Sequence, residues 1–394
     1  MASRAVYIVA AKRTPFGTFG GKLKGITATD LGKAAASAAL EAGKVPAEAV
    51  DSVIVGNVAQ SSTDACYLAR HVALKAGVPI AVPALTINRL CGSGFQSIIN
   101  GAHEILLGQS EVVLTGGTES MSQAPYAVRN TRWGSPLGMD LKMEDTLWAS
   151  LTDSYVKLPM ALTAEKLAEQ YGITREQCDQ FALSSQQKWA NADKNGHFVA
   201  ELAPLEVKGK KGKEVFDRDE HPRETTFEKL GKLPSVFKEN GTVSAGNASG
   251  ICDGAGVVII ASEEACSKHN LTPLARLVAY DVIGVDPTIM GIGPAYAIQN
   301  VLKKTKMTLD KIDLVEVNEA FAAQFLSVEK EAGLDREKTN TNGGAIALGH
   351  PLAASGSRIT AHLVHELQRK SLKYAIGSAC IGGGQGIALL LERV

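Results

Sequence analysis

Short apolar runs alternate along the chain with longer stretches whose apolar residues recur every three or four positions. Near the N-terminus "AVYIVAA" reads as a buried strand that runs into a turn at Pro15-Phe16-Gly17. A helix is expected from Asp30 to Ala42, entered through Thr27 or Thr29 as N-cap and left at Gly43. The strand "AVDSVIVGN", Ala49 to Asn57, follows. "PALTIN" then gives another strand. After it Phe95, Ile98, Ile99, Ala102, Ile105 and Leu106 recur at helical spacing, so Gly92 to Leu107 reads as a helix with one apolar face. Strands and helices that take turns in this way argue for an α/β fold with largely buried sheets.

The pattern is then written a second time. A helical stretch from Ala295 to Lys304 leads into "KIDLVEVNE", Lys311 to Glu319. Val50-Asp51 matches Ile312-Asp313, and Val53 and Val55 match Val315 and Val317. Further on, "LTINRLCGSGFQSIINGAHEILLGQSEVVLTGGTES" is matched by "ALGHPLAASGSRITAHLVHELQRKSLKYAIGSACIGGG", a register that brings Cys91 close to His350. Two related α/β domains packed as a pseudo-dimer are expected: residues 1–120 with 251–273, and residues 274–394. Residues 121–250 differ. They are richer in charge and in Trp, Tyr and Pro, and hold the helical "TAEKLAEQYG" and "TREQCDQFALSSQQKWANA" and the polar "VKGKKGKEVFDRDEHPRE". They read as an inserted loop domain, after which "ICDGAGVVIIASEEA" rejoins the first sheet.

The 394 residues carry no formal net charge, which argues against bulk electrostatic binding to nucleic acid or membrane. The longest apolar runs, "VVIIA" and "IALLL", fall far short of the roughly 18 residues of a membrane span. The six cysteines, at 66, 91, 178, 252, 266 and 380, form no CxxC pair and no His cluster stands beside them. Neither a structural zinc site nor a disulfide framework is expected, and the thiols are free in a reducing compartment. The basic start "MASRAVYIVAAKRTPFG" has the charge of a targeting segment, yet it contains the first strand.

Cys91 falls where a strand ends and a helix begins, among Gly92, Ser93 and Gly94. The free N–H groups and dipole at a helix start would favour its thiolate, while a buried structural thiol is the commoner fate of a lone cysteine. His350 lies in a small-residue turn before another helix. Cys380 ends a strand followed by Gly382, Gly383 and Gly384, and Asn318-Glu319 end the strand of "VEVNEAF". Alone, each has an ordinary structural reading as a turn histidine, a core cysteine or a capping asparagine. Together they stand at corresponding strand ends of duplicated units, where ligands of open α/β sheets bind. His362 and His365 are expected on the surface, Glu119 ordering its turn, Asp253 in a turn, and Cys66, Cys178, Cys252 and Cys266 inert.

In their order, "AAKRTPFG", "NRLCGSGFQS", "GGTESMS", "AGNASGICDGAG", "NEAFAAQF", "NGGAIALGHPLAASGSRI" and "GSACIGGGQG" resemble the thiolase family over essentially the whole chain. The likeness is greatest to its mitochondrial, fatty-acid β-oxidation branch. The resemblance implies a layered α-β-α-β-α pseudo-dimer and a retro-Claisen cleavage of 3-ketoacyl-CoA. Cys91 would be the nucleophile, His350 its base, and Cys380 the acid for the leaving acetyl-CoA carbanion. Asn318 would hold a water in the enolate's oxyanion hole. The N–H groups of Cys91 and Gly382 would form a second hole. Arg223, Thr225 and Ser249 would contact coenzyme A, a co-substrate; no permanently bound cofactor and no metal are implied. A homo-oligomer, a tetramer built as a dimer of dimers, and a place in the mitochondrial matrix also follow from the resemblance. Ala353-Ala354 stands where the family often has glycine, which put coenzyme A affinity or rate in question. Pro159-Met160 replaces the His-Met of acetoacetyl-CoA-specific relatives and favours a broader acyl pocket. A biosynthetic acetoacetyl-CoA thiolase, an acyl-CoA hydrolase and a non-catalytic coenzyme A binder are the alternatives.

Overall fold

The computed structural model describes residues 4–209 and 212–394. Nine strands make up its main sheet: β1 Val6–Arg13, β2 Ser52–Gly56, β3 Ala84–Ile87, β4 Val112–Ser120, β5 Cys252–Ser262, β6 Ala275–Gly284, β7 Leu314–Val317, β8 Tyr374–Ile381 and β9 Gln385–Arg393. They lie in the order β7-β8-β9-β6-β1-β5-β4-β2-β3, and the two-residue strand Gly17–Thr18 adds to β5. Between β6 and β1 the pairing is short, Tyr7 with Arg276 and Ile8 with Ala275. On either side of this seam the two halves repeat. The outer strands β2 and β7 run parallel to β4 and β8, which pair antiparallel with β5 and β9. Only β3 lacks a counterpart.

One pair of aspartates shows how closely the halves correspond. Asp51 Oδ2 accepts from the backbone N–H groups of Glu111 and Val112, at 2.8 and 3.0 Å. Asp313 Oδ2 accepts from those of Lys373 and Tyr374, at 2.8 and 2.9 Å. Each carboxylate ties the lead-in of its outer strand to the start of the neighbouring one, satisfying N–H groups that would otherwise lack partners.

Among the described residues the helices of eight residues or more are α1 Ala28–Ala42, α2 Leu68–Lys75, α3 Ser93–Leu106, α4 Met160–Tyr171, α5 Arg175–Lys194, α6 Gly293–Thr305, α7 Ala322–Ala332 and α8 Ser355–Lys370. Thr27 caps α1 by accepting from the Asp30 N–H, and Gly43 closes it, as the sequence indicates. Helices α1 and α2 pack on the outer face of one half through Leu31, Ala35, Leu68 and Val72. Helices α6 and α7 cover the other half through Ile298, Val301, Phe325 and Val328. In the middle, α3 and α8 bury Ile98, Ile105, Ile359 and Leu363 between the two sheet halves. This is the five-layer α-β-α-β-α arrangement. The central helices touch at glycines in corresponding positions of the two halves. A Cβ on Gly94 would lie 2.5 Å from the Ser357 nitrogen, and one on Gly356 would run into the Phe95 nitrogen.

The segment between the halves carries α4, α5 and the hairpins Tyr126–Val128 with Met143–Asp145 and Leu205–Gly209 with Gly212–Phe216. It is tied to both halves by buried charge. Arg13 Nε donates to Glu201 at 2.6 Å, Arg13 Nη1 to Asp219 at 2.7 Å, and His362 Nδ1 lies 2.7 Å from Glu201. Three sequence expectations are corrected here. His362 is buried, and His365 is mostly covered and bonded to the Ala11 carbonyl, because α8 lies in the middle layer with protein on all sides. Asp253 belongs to β5, where its carboxylate accepts from Ser122 N and Oγ. Cys66 is exposed, whereas Cys178, Cys252 and Cys266 are buried.

Candidate active site

Strand β3 ends at Ile87, and the chain turns through Asn88 to Leu90 before α3. Asn88 Oδ1 accepts from the Leu90 N–H at 2.8 Å, holding Leu90 in the left-handed region at φ 46°. That conformation is costly for a branched residue and marks a turn held by its surroundings. A single 3₁₀ turn, Leu90–Gly92, then presents Cys91 at the foot of α3. Gly92 packs closely there: a Cβ would meet Ile381 Cδ1 at 2.5 Å, so that side chain would have to shift. The half-buried Cys91 thiol is pushed up to about 11 by desolvation, opposed by the N–H groups of Gly382 and of Cys91 itself. Burial thus works against the thiolate that the helix start favours, and the balance lies on the side of the thiol.

His350 sits between the short helix Ala345–Leu348 and α8. Its backbone N–H donates to the Gly250 carbonyl at 2.9 Å. Gly349, at φ 99°, passes so close to Cys252 Sγ that no side chain fits. Two buried carboxylates hold the segment on either side. Glu319 accepts from the Ile346 N–H at 3.1 Å, and Glu119 from the Ala353 N–H at 3.0 Å. Glu119 also gathers the Val58 and Ala59 N–H groups and Asn57 Nδ2, so it orders this junction as expected, while burial raises its carboxyl to about 7. The His350 ring lies 2.5 Å from Ser355 Oγ through Nδ1 and 3.5 Å from Asn318 Nδ2 through Nε2. Burial, and secondarily the charge of Arg358, hold His350 down to about 3, so the ring is neutral and free to accept a proton. Arg358 is itself buried and paired with Glu316.

Cys380 lies one residue before the end of β8, fully buried, its thiol raised by desolvation and then by the neighbouring Cys91. Asn318 follows β7, with its Oδ1 buried and without a hydrogen-bond partner. Cys91, His350 and Cys380 open together with Ser249 onto one cavity of about 270 Å³ whose remaining wall is mostly apolar, including Met121, Leu151, Met160 and Phe321. A neutral thiol and a neutral imidazole on one cavity, a second protonated thiol, and two N–H groups at the first sulfur suit acyl transfer with proton movement at two points. No group of three or more His, Cys, Asp or Glu among the described residues is arranged to hold a metal ion.

Residues 6–264 match the thiolase N-terminal domain, and residues 271–393 the thiolase C-terminal domain. The chain belongs to the thiolase family. It is 66% identical over 391 residues to the mitochondrial 3-ketoacyl-CoA thiolase of Mus musculus, covering 99% of this chain and 98% of that protein. The crystal structure of human mitochondrial 3-ketoacyl-CoA thiolase superposes with a TM-score of 0.99 at 65% identity, covering all of both chains. The human enzyme in complex with CoA superposes at 0.97 and 65% identity, covering 99% of this chain and 98% of that one.

Not every expected contact of this thiolase falls in one place. Ser249 lines the cavity, but Arg223 and Thr225 border a separate hollow with Gln186, Trp189 and Arg218. Arg223 is positioned there by its N–H, which donates to Gln186 Oε1 at 3.0 Å. Ala353 and Ala354 are fully buried under the His350 segment, away from the cavity wall. Sequence reasoning missed Ser355, Leu90 and the clamping role of Glu319. The first two lie within five residues of the singled-out His350 and Cys91, which was the only signal available.

Proposed function

We propose that this thiolase cleaves 3-ketoacyl-CoA with coenzyme A to acetyl-CoA and a shortened acyl-CoA, as a β-oxidation enzyme of the mitochondrial matrix. The convergence of Cys91, His350 and Cys380 on one apolar-walled cavity carries this function; the identity to mitochondrial 3-ketoacyl-CoA thiolases supports the substrate and the compartment. His350 Nε2 takes the Cys91 proton as Sγ adds to the C3 carbonyl. The adduct oxygen is met by the N–H groups of Cys91 and Gly382. The C2–C3 bond then breaks, its electrons pass to the thioester enolate, and the Cys380 thiol protonates C2 to release acetyl-CoA. In the second half the Cys380 thiolate takes the thiol proton of coenzyme A. The new thiolate attacks acyl-Cys91, and the leaving Cys91 sulfur recovers its proton from His350. Asn318, with an amide oxygen free in a buried place, serves the enolate oxygen through a water.

Coenzyme A is a co-substrate, and no permanently bound cofactor takes part. Ser249 contacts it at the cavity, and Arg223 and Thr225 from the outer hollow of the inserted segment, residues 121–250. A homotetramer belongs to the same proposal. Trp133, Leu137, Leu141 and Met143, on and around the exposed hairpin of that segment, offer apolar surface for subunit contact. The test is CoA-dependent cleavage of 3-ketoacyl-CoA from C4 to C16, beside Cys91→Ser. Cleavage extending to medium chains and absent in the variant is expected. Activity confined to C4 would mean acetoacetyl-CoA metabolism instead, and release of free acid without coenzyme A a hydrolase.

A further inference from the structure

We propose that Ser355 is a positioning residue for the base: its hydroxyl holds His350 in the Nδ1–H tautomer and so leaves the Nε2 lone pair for the Cys91 proton. This rests on the thiolase function proposed above for its consequence in turnover, though not for its geometry. A neutral imidazole has two tautomers, and the one present is set by what each nitrogen meets. Ser355 Oγ lies 2.5 Å from His350 Nδ1 and 3.3 Å from the Pro351 carbonyl. The carbonyl can only accept, and in the proposed arrangement the single hydroxyl proton is directed to it rather than to Nδ1, as Ser93 directs its own to the Leu90 carbonyl. Oγ then accepts, and Nδ1 carries the hydrogen.

The other side of the ring does not decide the matter. Asn318 Nδ2 stands 3.5 Å from Nε2, and Asn318 Oδ1 is buried without a partner. A half-turn of that amide would aim Oδ1 at Nε2 and stabilise the Nε2–H tautomer, in which Nε2 has no lone pair left to take a proton. Asn318 thus permits either tautomer, and Ser355 selects the productive one. The internal repeat supports this division of labour. Ser93 opens α3 as Ser355 opens α8, and its Oγ donates to the Leu90 carbonyl at 2.7 Å in the same manner. There the hydroxyl accepts from a backbone N–H, that of Arg89, at 2.9 Å. In the second half the same serine geometry accepts from an imidazole.

The experiment is the rate of Cys91 carboxamidomethylation by iodoacetamide at neutral pH, followed on the Cys91 peptide by mass spectrometry. It reads base assistance without any acyl-CoA. Ser355→Ala should slow it about 10- to 100-fold, in the range found when a partner orienting a histidine is removed. Ser355→Thr, which keeps the hydroxyl, should restore most of the rate. Ser355→Cys, which keeps the volume with a weak acceptor, should stay slow and stands in if the alanine chain does not fold. In an Asn318→Ala background the loss from Ser355→Ala should shrink, because the competing acceptor is gone. A Ser355→Ala protein that is less heat-stable yet reacts at the wild-type rate would overturn the proposal, as would losses that simply multiply in the double variant. A wild type that shows the expected alkylation pattern but cleaves no 3-ketoacyl-CoA would sink the proposed function and leave the tautomer assignment supported.

Discussion

At the scale of single residues, the candidate site is a set of groups kept uncharged. Burial holds the Cys91 thiol near 11 and the His350 imidazole near 3, so neither titrates around neutrality. An ordinary cysteine reacts as its thiolate and gains rate as pH approaches its pKa. If His350 takes the proton directly, as proposed, carboxamidomethylation of Cys91 should be flat over about pH 6 to 9. A rate that rises in proportion to hydroxide would mean that His350 does not assist. Asn318→Ala should lower kcat by about 10²- to 10³-fold, the usual cost of one oxyanion donor. Steady-state kinetics with a medium-chain substrate checks it, and a loss confined to KM would assign Asn318 to binding alone. The identities of these residues were legible because cysteine, histidine and asparagine at strand ends carry their chemistry in their letters. Their charge states were not, since helix position is visible in a sequence and depth of burial is not. The same blindness placed His362 on the surface: "HLVHELQRK" carries polar residues throughout, but His362 meets Glu201 of the inserted segment and His365 the Ala11 carbonyl.

At the scale of elements, the geometry of the site depends on how closely α3 and α8 approach. Cys91 lies just before one and His350 just before the other, so their crossing fixes the distance between nucleophile and base. Gly94 and Gly356 make that crossing possible. Gly94→Ala should lower the free energy of unfolding by about 1–3 kcal/mol, the usual cost of overpacking a well-packed core. It should reduce activity further than that loss explains, because the added methyl meets Ser357 and the Ala353 carbonyl at 2.5 to 2.7 Å. Denaturant unfolding and turnover measured on one preparation separate the two effects; an alanine variant of wild-type stability would show that the helices can part without strain. Helices α1, α3 and α6 were readable from apolar spacing within a residue or two of their observed ends, whereas α2 and α7 were not singled out. Their crossing was not, because contact between residues over 260 positions apart follows from the duplication and from layer packing rather than from local pattern.

At the scale of the whole molecule, three parts of the chain meet in one buried charge network. Arg13 comes from the first half, Glu201 and Asp219 from the inserted segment, and His362 from the second half. Breaking a buried pair by removing one partner costs about 3–5 kcal/mol, since the other charge is left without compensation. The network also makes stability depend on pH from both sides. Arg13 and His362 hold the Glu201 carboxyl down to about 2 against the cost of burial, so its contribution is complete above the unfolded carboxylate value, near 4.5, and fades as pH falls towards 2. His362 is raised by Glu201 despite its own burial. Its contribution is complete below the unfolded imidazole value, near 6.5, and is lost as pH rises through the folded one. His365, Glu316 and Glu366 lie around the same histidine and belong to its electrostatic surroundings, with Lys12 beside His365. Glu201→Gln removes the carboxylate partner of His362 and one of the two partners of Arg13, which keeps Asp219, without changing the side chain's shape. The variant should be less stable than wild type at pH 6, with the gap narrowing both towards acid and towards alkaline conditions. Thermal unfolding across pH 3 to 9 measures this directly. A gap that stays constant with pH would mean that Glu201 acts by packing alone, and that the inserted segment is held to the two halves by apolar contact rather than by charge.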